Sequence, residues 1–264
     1  MPHIRENFIE LNIKTFIQVK KHSDEVNLIC FPYAGGSKYS YRSFEAVIPR
    51  GINLIPLELP GRGDRVNERL LIDINAMVED LLGQMNRYTN KPYILYGHSM
   101  GGILAYLVAK RISNDNIHLP ECLVITGCEG PSVKNDAQKA RSLLPSVEFF
   151  EELKTLGGIP DEILKDEGIR EFFEPILRAD LKAIEGFKYR KSIRLNVPIC
   201  IIFGVEEDIS LEEASSWVDE SNSRVEIFQF PGDHFFIFKY EKKLMEVIEK
   251  KFNECRHINY NLDR

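Results

Sequence analysis

The sequence predicts an α/β fold, in which one domain carries a mostly parallel central sheet and an inserted helical lid. Three observations predict it. Short, nearly continuous apolar runs recur along the chain, amphipathic segments separate these runs, and one long stretch has helical patterns but no strand. Continuous apolarity is typical of strands that are covered on both faces, and strands that alternate with helices define the α/β class.

Eight segments are predicted to form strands. An early pair, Phe8–Ile13 and Thr15–Val19, alternates polar and apolar residues and predicts an antiparallel hairpin at a sheet edge. The other runs are almost wholly apolar and predict buried parallel strands. They are Val26–Phe31, Ile52–Leu57, Tyr93–Tyr96, Cys122–Thr126, Ile199–Phe203 and Val225–Phe230.

Helices are predicted between these strands. The clearest is Asp73–Tyr88, where Asp73 is a suitable N-cap and apolar side chains recur at helical spacing. That stripe consists of Ile74, Met77, Val78, Leu81, Leu82 and Met85. Further helices are predicted over Met100–Ile112, Leu211–Val218 and Glu241–Phe252.

The alternation stops between about 130 and 191, where the pattern is helical throughout. Helices are predicted over Glu148–Leu156, Pro160–Leu164 and Glu167–Phe187. About sixty residues without a strand exceed an ordinary connection between two strands. Because open α/β sheets bind ligands at the carboxyl ends of their strands, this insertion is expected to form a lid over that edge.

Composition and charge exclude several classes of protein. Of 264 residues, 44% are hydrophobic and 28% are charged, which is ordinary for a folded domain and too apolar for a disordered chain. The formal charge is −6, without a basic run, which argues against nucleic-acid binding. No apolar stretch approaches the roughly 18 residues of a membrane span, and the segment after Met1 lacks a signal-peptide core, so a cytoplasmic protein is expected. Five scattered cysteines without metal or redox spacing are expected to be reduced and mostly buried: Cys30, Cys122, Cys128, Cys200 and Cys255.

The motif Gly97-His98-Ser99-Met100-Gly101 carries the chemistry. It follows a predicted strand directly and opens a predicted helix. A nucleophile on such a sharp turn brings backbone segments into close contact, so glycine is needed two residues to either side. The turn would hold the Ser99 hydroxyl at a helix N-terminus, where the dipole favours negative charge. Ser99 is therefore the candidate nucleophile.

A serine nucleophile needs a base that is oriented by an acid, and in an α/β-hydrolase fold these follow it in the order acid, then histidine. His234 follows the last predicted strand, at the sheet edge that displays Ser99, and is the candidate base. Asp208, in the loop after Ile199–Phe203, is the candidate acid. Glu206, Glu207 and Glu129 remain alternatives for the acid, while Asp233 is a weaker one because neighbouring side chains diverge.

An oxyanion hole requires two preorganised N–H donors. The Met100 amide, directly after the nucleophile, is the first candidate. The second is expected in the glycine-rich loop Phe31-Pro32-Tyr33-Ala34-Gly35-Gly36, where Ala34 is preferred and Tyr33 comes next. A phosphate-binding loop is the competing interpretation, but Gly-x-Gly-x-x-Gly is absent and no Lys-Ser/Thr follows the glycines.

Several separated segments, in the same order, resemble the type II thioesterases, which are stand-alone α/β-hydrolases that serve nonribosomal peptide and polyketide synthases. The resemblance runs from about residue 28 to residue 238. Its segments are Phe31-Pro32-Tyr33-Ala34-Gly35-Gly36-Ser37, Leu59-Pro60-Gly61-Arg62-Gly63, Gly97-His98-Ser99-Met100-Gly101-Gly102, Leu156-Gly157-Gly158-Ile159-Pro160, Pro175-Ile176-Leu177-Arg178-Ala179-Asp180 and Gly232-Asp233-His234-Phe235-Phe236.

The resemblance implies Ser99 as nucleophile, Asp208 as acid and His234 as base, with the Ala34 and Met100 amides as oxyanion hole. It implies hydrolysis of acyl, aminoacyl or peptidyl groups from the phosphopantetheine arm of carrier-protein domains, which clears misprimed or stalled synthases. Neither a metal nor an organic cofactor is required, and a monomer is expected. The chain departs from the pattern in the Glu206-Glu207 pair before Asp208.

Carrier domains are generally acidic and this chain is net negative, so any attraction between the two must be local. A basic cluster at the end of the insertion is the candidate docking surface; it consists of Lys182, Lys188, Arg190, Lys191 and Arg194. Four other functions are weighed against carrier editing: a medium-chain fatty acyl carrier-protein hydrolase, a small-molecule carboxylesterase, an acyltransferase and a catalytically silent carrier-binding protein.

Overall fold

A six-stranded parallel sheet forms the centre of the protein in a computed structural model, which describes residues 25–115, 118–133, 140–155 and 165–262. The strand order is β2-β1-β3-β4-β5-β6, so the predicted α/β class with a mostly parallel sheet is confirmed. The strands are β1 (Val26–Phe31), β2 (Ile52–Pro56), β3 (Tyr93–His98), β4 (Cys122–Thr126), β5 (Ile199–Gly204) and β6 (Val225–Phe230).

Seven α-helices are described with these strands. The predicted hairpin Phe8–Ile13 with Thr15–Val19, the helix Pro160–Leu164 and the segment Leu156–Pro160 lie outside the described residues. The helices are α1 (Ile74–Met85), α2 (Met100–Asn114), α3 (Ser146–Thr155), α4 (Glu167–Glu185), α5 (Leu211–Ser215), α6 (Phe236–Lys239) and α7 (Glu241–Leu262).

Both faces of the sheet are covered, which explains why its strands are continuously apolar. Every residue of β1, β3, β4 and β5 is buried. Helices α1 and α2 pack on one face, and α7 packs on the other together with a 3-10 helix, Lys38–Ala46. The Asp73 carboxylate accepts a hydrogen bond from the Ala76 amide at 3.0 Å, so the predicted N-cap of α1 is present.

The strand order reverses between β1 and β3. The chain passes from β1 to β2 on one side and then crosses back, so that β3 pairs with the other side of β1. The loops that follow β1 and β3 therefore leave the sheet in opposite directions from adjacent strand ends. Such a reversal at the carboxyl edge is where open α/β sheets bind their ligands.

Helices α3 and α4 lie between β4 and β5, within the predicted insertion, and the structure describes no strand in 140–155 or 165–191. They share a separate apolar cluster that packs α3 against α4. Its buried members are Phe149, Phe150, Leu153, Leu177 and Leu181. These two helices therefore share a small core of their own beside the main one. Over the part of the chain that is described, no helix combines the length and apolarity needed to cross a lipid bilayer.

Candidate active site

Ser99 lies on the sharp turn between β3 and α2. Its backbone has φ 53° and ψ −123°, and it is the one non-glycine residue with positive φ in the described part of the chain. Backbone strain of this kind costs roughly 1–3 kcal/mol and persists only where the surrounding structure enforces it. The Ser99 amide donates to the Thr126 carbonyl at 2.8 Å, and the Ser99 carbonyl accepts from the Gly102 amide at 2.8 Å. The side chain makes no capping bond to α2, so its hydroxyl is left for chemistry.

The two glycines of the motif are required by close backbone contacts. A Cβ atom on Gly97 would lie 2.0 Å from the Gly101 carbonyl oxygen. A Cβ atom on Gly101 would lie 2.6 Å from the carbonyl oxygen of Phe31, the last residue of β1. The turn is therefore pressed against the loop that follows β1, which confirms the steric reason for the motif.

His234 lies between β6 and α6, and a carboxylate holds its ring. Its Nδ1 donates to Oε1 of Glu207 at 2.5 Å, because a carboxylate can only accept. The Glu207 side chain is 2% exposed and the His234 side chain 24%. With Nδ1 protonated, Nε2 is left as the acceptor that a serine hydroxyl needs.

The residue that holds His234 differs from the preferred sequence candidate. Asp208 is exposed and lies in the wall of the same cavity, but the structure does not bring it to the imidazole. Glu206 is also exposed, Glu129 lines the cavity, and Asp233 pairs with Lys239 at 2.7 Å. That pairing holds the pKa of Asp233 below its usual value.

The loop after β5 selects Glu207 through its backbone. The Glu206 amide donates to the Gly232 carbonyl at 3.1 Å, which ties this loop to the one that carries His234. The second oxygen of Glu207 accepts from the Gly204 amide at 2.5 Å, so both carboxylate oxygens are used. Of the three consecutive acidic residues, the middle one turns inward because the loop folds back over the end of β5.

A second imidazole lies against the first. The His98 ring is fully buried, and its centroid is 4.7 Å from that of His234. Burial, and then the nearby His234, lower the pKa of His98 well below the usual value. His98 is therefore neutral at physiological pH, and its Nδ1 lies 3.0 Å from the Thr126 hydroxyl. A neutral neighbour adds no repulsion when His234 takes up a proton.

The two candidate oxyanion donors come from adjacent strand ends. Met100 is the first residue of α2, so its amide has no partner within the helix. Ala34 lies in a turn after β1 that is closed by a bond from the Gly36 amide to the Tyr33 carbonyl at 2.8 Å. This turn follows Phe31, whose carbonyl touches the serine turn. The assignment of both donors stays a prediction.

One cavity of about 900 Å³ contains Ser99, Met100 and His234 in its wall. Helix α4 and the segment after it also contribute to this wall. The apolar residues lining the cavity include Met100, Ile103, Leu181, Ile184, Phe187 and Ile209. These residues give the cavity an apolar part beside the nucleophile, which suits an acyl chain. The rest of the wall is polar and carries the carboxylates of Glu129, Glu185, Glu206, Glu207, Asp208 and Asp233.

The predicted basic cluster borders this cavity. Lys188 lines it, while Lys182, Arg190 and Lys191 are exposed; Arg194 pairs with Asp219 at 2.7 Å. A neighbouring cavity of about 490 Å³ shares part of the same wall. The cations in that second wall are Lys110, Lys188 and Arg190.

Sequence reasoning gave no role to Arg62 or Asp180, which form a buried ion pair against the loop after β1. The sequence gives only an indirect indication of their importance, because each residue lies in one of the segments that resemble type II thioesterases. Their separation of 118 residues gives no pattern that periodicity could detect.

Comparisons with known proteins bear on the family and the fold of this chain. The model of the "Thioesterase domain" family matches residues 26–253. ClbQ, described as a protein of the colibactin NRPS/PKS pathway, superposes with a TM-score of 0.84 at 28% identity, over 89% of this chain and 100% of that one. BorB, described as the type II thioesterase of the borrelidin biosynthetic cluster, gives a TM-score of 0.80 at 29% identity, over 88% and 94% of the two chains.

A curated relative from Brevibacillus parabrevis, named linear gramicidin dehydrogenase LgrE, is 30% identical over 85% of this chain and 87% of its own length. Its name describes a redox enzyme. This chain lacks the Gly-x-Gly-x-x-Gly fingerprint for dinucleotides and has the serine turn described above. The likeness to LgrE therefore supports the shared fold without transferring that name.

Proposed function

The chain belongs to the thioesterase domain family, and from this we propose that it is an editing thioesterase of a nonribosomal peptide or polyketide synthase. It would hydrolyse acyl, aminoacyl or peptidyl groups from the phosphopantetheine arm of carrier domains. One observation carries the proposal: Ser99, on its strained turn, shares a cavity with His234, whose imidazole is fixed by Glu207. The likeness to a type II thioesterase over nearly the whole of both chains supports the stand-alone editing role.

The proposed reaction begins when the Ser99 hydroxyl attacks the thioester carbonyl and its proton passes to Nε2 of His234. Glu207 holds the ring in the tautomer that can accept this proton and stabilises the imidazolium. The amides of Met100 and Ala34 would hold the oxyanion. When the tetrahedral intermediate collapses, the C–S bond breaks and His234 protonates the leaving thiolate.

The second half of the reaction regenerates the enzyme. A water molecule enters beside His234. The imidazole removes a proton from this water as the water oxygen attacks the acyl-serine carbonyl. The ester C–O bond then breaks, the proton returns to Ser99, and the free carboxylic acid leaves. We assign no step to a metal ion or an organic cofactor, because these side chains balance every proton in the scheme.

Helices α3 and α4 would act as the lid of the acyl chamber, and the carrier would dock beside the basic cluster. Lys110 lies eleven residues beyond Ser99 in α2, which is a rise of roughly 16 Å along the helix. An extended phosphopantetheine arm has about thirteen bonds from phosphorus to sulfur, and so spans roughly 16 Å at the spacing of an extended backbone. Lys110 is thus at a distance from Ser99 that such an arm could span, and Lys188 and Arg190 line the same cavity as Lys110. We further propose a cytoplasmic monomer.

The test is hydrolysis of several acyl-loaded carrier domains, with loss of the acyl group followed by intact mass. We expect the parent protein to release the groups and Ser99→Ala to be slower by at least about 1,000-fold, since the nucleophile is removed. Release by Ser99→Ala at the parent rate would refute the proposed chemistry. Free esters and medium-chain acyl carriers in the same assay distinguish a carboxylesterase and a fatty acyl hydrolase from an editing enzyme.

A further inference from the structure

A buried ion pair joins helix α4 to the core beside the active site. The two terminal nitrogens of the Arg62 guanidinium contact the Asp180 carboxylate, Nη1 to Oδ2 at 2.5 Å and Nη2 to Oδ1 at 2.7 Å. The two side chains are 3% and 0% exposed. Arg62 comes from the loop after β2 and Asp180 from α4, so the pair links the inserted helix to the sheet.

The same two residues also hold the turn after β1. Asp180 Oδ2 accepts from the Gly35 amide at 2.8 Å, and Arg62 Nη1 donates to the Gly36 carbonyl at 3.3 Å. The turn spans Tyr33–Gly36, and Gly35 at its third position has φ +77°, which is typical of a type II turn. The bond from Gly35 fixes the plane of the Ala34–Gly35 peptide, and the bond to Gly36 holds the next carbonyl, so the chain is anchored at the two residues that directly follow Ala34.

Leu177 adds a packing contact one helical turn before Asp180. A Cβ atom on Gly35 would lie 2.5 Å from Leu177 Cδ2, so α4 is seated directly on this turn. Three side chains therefore contact the backbone of the turn. Asp180 accepts a hydrogen bond from it, Arg62 donates one to it, and Leu177 packs against it. Asp180 and Leu177 come from the inserted helix itself.

We propose that Asp180 is a positioning residue, which with Arg62 holds the turn after β1 in the conformation that presents the Ala34 amide to the oxyanion. Seating of α4 on the core then completes the oxyanion hole. The inference rests on the proposed role of Ala34 in hydrolysis. It goes further by making the catalytic geometry depend on a residue of the lid.

Stability alone is a poor explanation for this ion pair. Burying two charges costs desolvation energy, and well-packed apolar residues often replace such a pair without loss. Helices α3 and α4 already share an apolar cluster. What an apolar pair could not supply is an acceptor for the Gly35 amide, and that acceptor is therefore the feature to test.

Two double variants isolate the acceptor at equal charge. Arg62→Met/Asp180→Asn keeps an oxygen that can accept from Gly35, whereas Arg62→Met/Asp180→Leu removes it with almost the same side-chain size. Arg62→Met/Asp180→Ala replaces the leucine variant if that one does not fold, as judged by thermal melting. Arg65→Met/Asp80→Leu is the control, because the Arg65–Asp80 pair is also bidentate and touches no residue of the turn.

The measurements are kcat and KM for a short acyl N-acetylcysteamine thioester, and the inhibition constant of an alkyl boronic acid, which forms a tetrahedral anion on serine. Relative to the asparagine variant, we expect the leucine variant to lose about 10- to 100-fold in kcat at unchanged KM. The inhibition constant should rise by a similar factor. The Arg65/Asp80 control should match the parent in both.

Equal kcat and equal inhibition constants for the asparagine and leucine variants would overturn the positioning role. So would a loss confined to KM, since that would assign Asp180 to substrate binding. The assay separates this failure from failure of the proposed function. If Ser99→Ala retains the parent rate, the hydrolytic mechanism itself is wrong; if it is inactive while the two double variants are equal, only the inference about Asp180 fails.

Discussion

Three consecutive acidic residues follow β5, and one of them reaches the imidazole of His234. Glu207 does so with its side chain 2% exposed, while Glu206 and Asp208 on either side are exposed. A glutamate has one methylene more than an aspartate, so its carboxylate can fold back to the Gly204 amide and still meet His234. The acid is therefore selected by burial and reach at a single position.

Glu207→Gln should reduce kcat by about 10,000-fold, the effect of leaving a catalytic imidazole in the wrong tautomer. A glutamine amide can donate to Nδ1, which then places the proton on Nε2, where it cannot act as a base. Asp208→Asn is the matched control and should stay within about three-fold of the parent, since neutralising an exposed side chain changes little. The measurement is kcat for thioester hydrolysis by both purified variants. A larger loss in Asp208→Asn than in Glu207→Gln would show that Asp208, and not Glu207, is the acid that orients His234.

Helices α1 and α2 show how one residue type serves two structural purposes. Gly101, near the start of α2, allows the helix to touch the backbone of β1, where a Cβ atom would be 2.6 Å from an oxygen. Gly83, inside α1, has nothing within 4 Å of the position where a Cβ would be placed. The first glycine is a requirement of the fold, and the second only weakens its helix.

Replacing each glycine by alanine should therefore have opposite effects. Gly83→Ala should raise the free energy of unfolding by about 0.5–1 kcal/mol, because alanine is the better helix former. Gly101→Ala should lower it by about 1–3 kcal/mol through overpacking. It should also reduce kcat by at least about ten-fold, since it displaces the segment that leads to Ala34. Urea denaturation and thioester hydrolysis measure these effects, and a fully active, stable Gly101→Ala would contradict the contact.

The net charge of the protein bears on how it would recognise an acidic carrier domain. The formal charge of this chain is −6, so overall attraction is excluded. Exposed cations are nevertheless gathered after α4, where Lys188 and Arg190 line adjoining cavities. Local complementarity of this kind affects association more than it affects chemistry.

Reversing two of these charges should impair the carrier-linked reaction selectively. For Arg190→Glu/Lys191→Glu we expect kcat/KM on an acyl-carrier domain to fall by about ten-fold or more at low salt, and less at high salt. Hydrolysis of a short thioester should be unchanged. The control is Arg50→Glu/Arg87→Glu, which changes the net charge by the same amount at exposed positions that precede β2 and β3. This control should match the parent. Equal losses in the two double variants would exclude a docking role for the basic cluster.

Much of the fold could be predicted from local patterns. The strands β1, β4 and β6 have the predicted bounds, and β2, β3 and β5 differ from them by one or two residues at the carboxyl end. Helix α1 begins after its predicted cap but ends at Met85, where a 3-10 turn, Asn86–Tyr88, takes over. These ends are less predictable because they depend on hydrogen bonds to neighbouring segments rather than on periodicity.

The sequence by itself determined the alternation of strands and helices and the serine turn. Apolar periodicity and the steric demands of Gly97 and Gly101 act over a few neighbouring residues, so a linear pattern contains them. Only the tertiary structure decided that Glu207 holds His234, and that Asp180 of α4 meets Arg62 at the turn after β1. Such contacts join residues that are distant in the chain. They depend on how loops fold and which side chains are buried, and no local pattern encodes either.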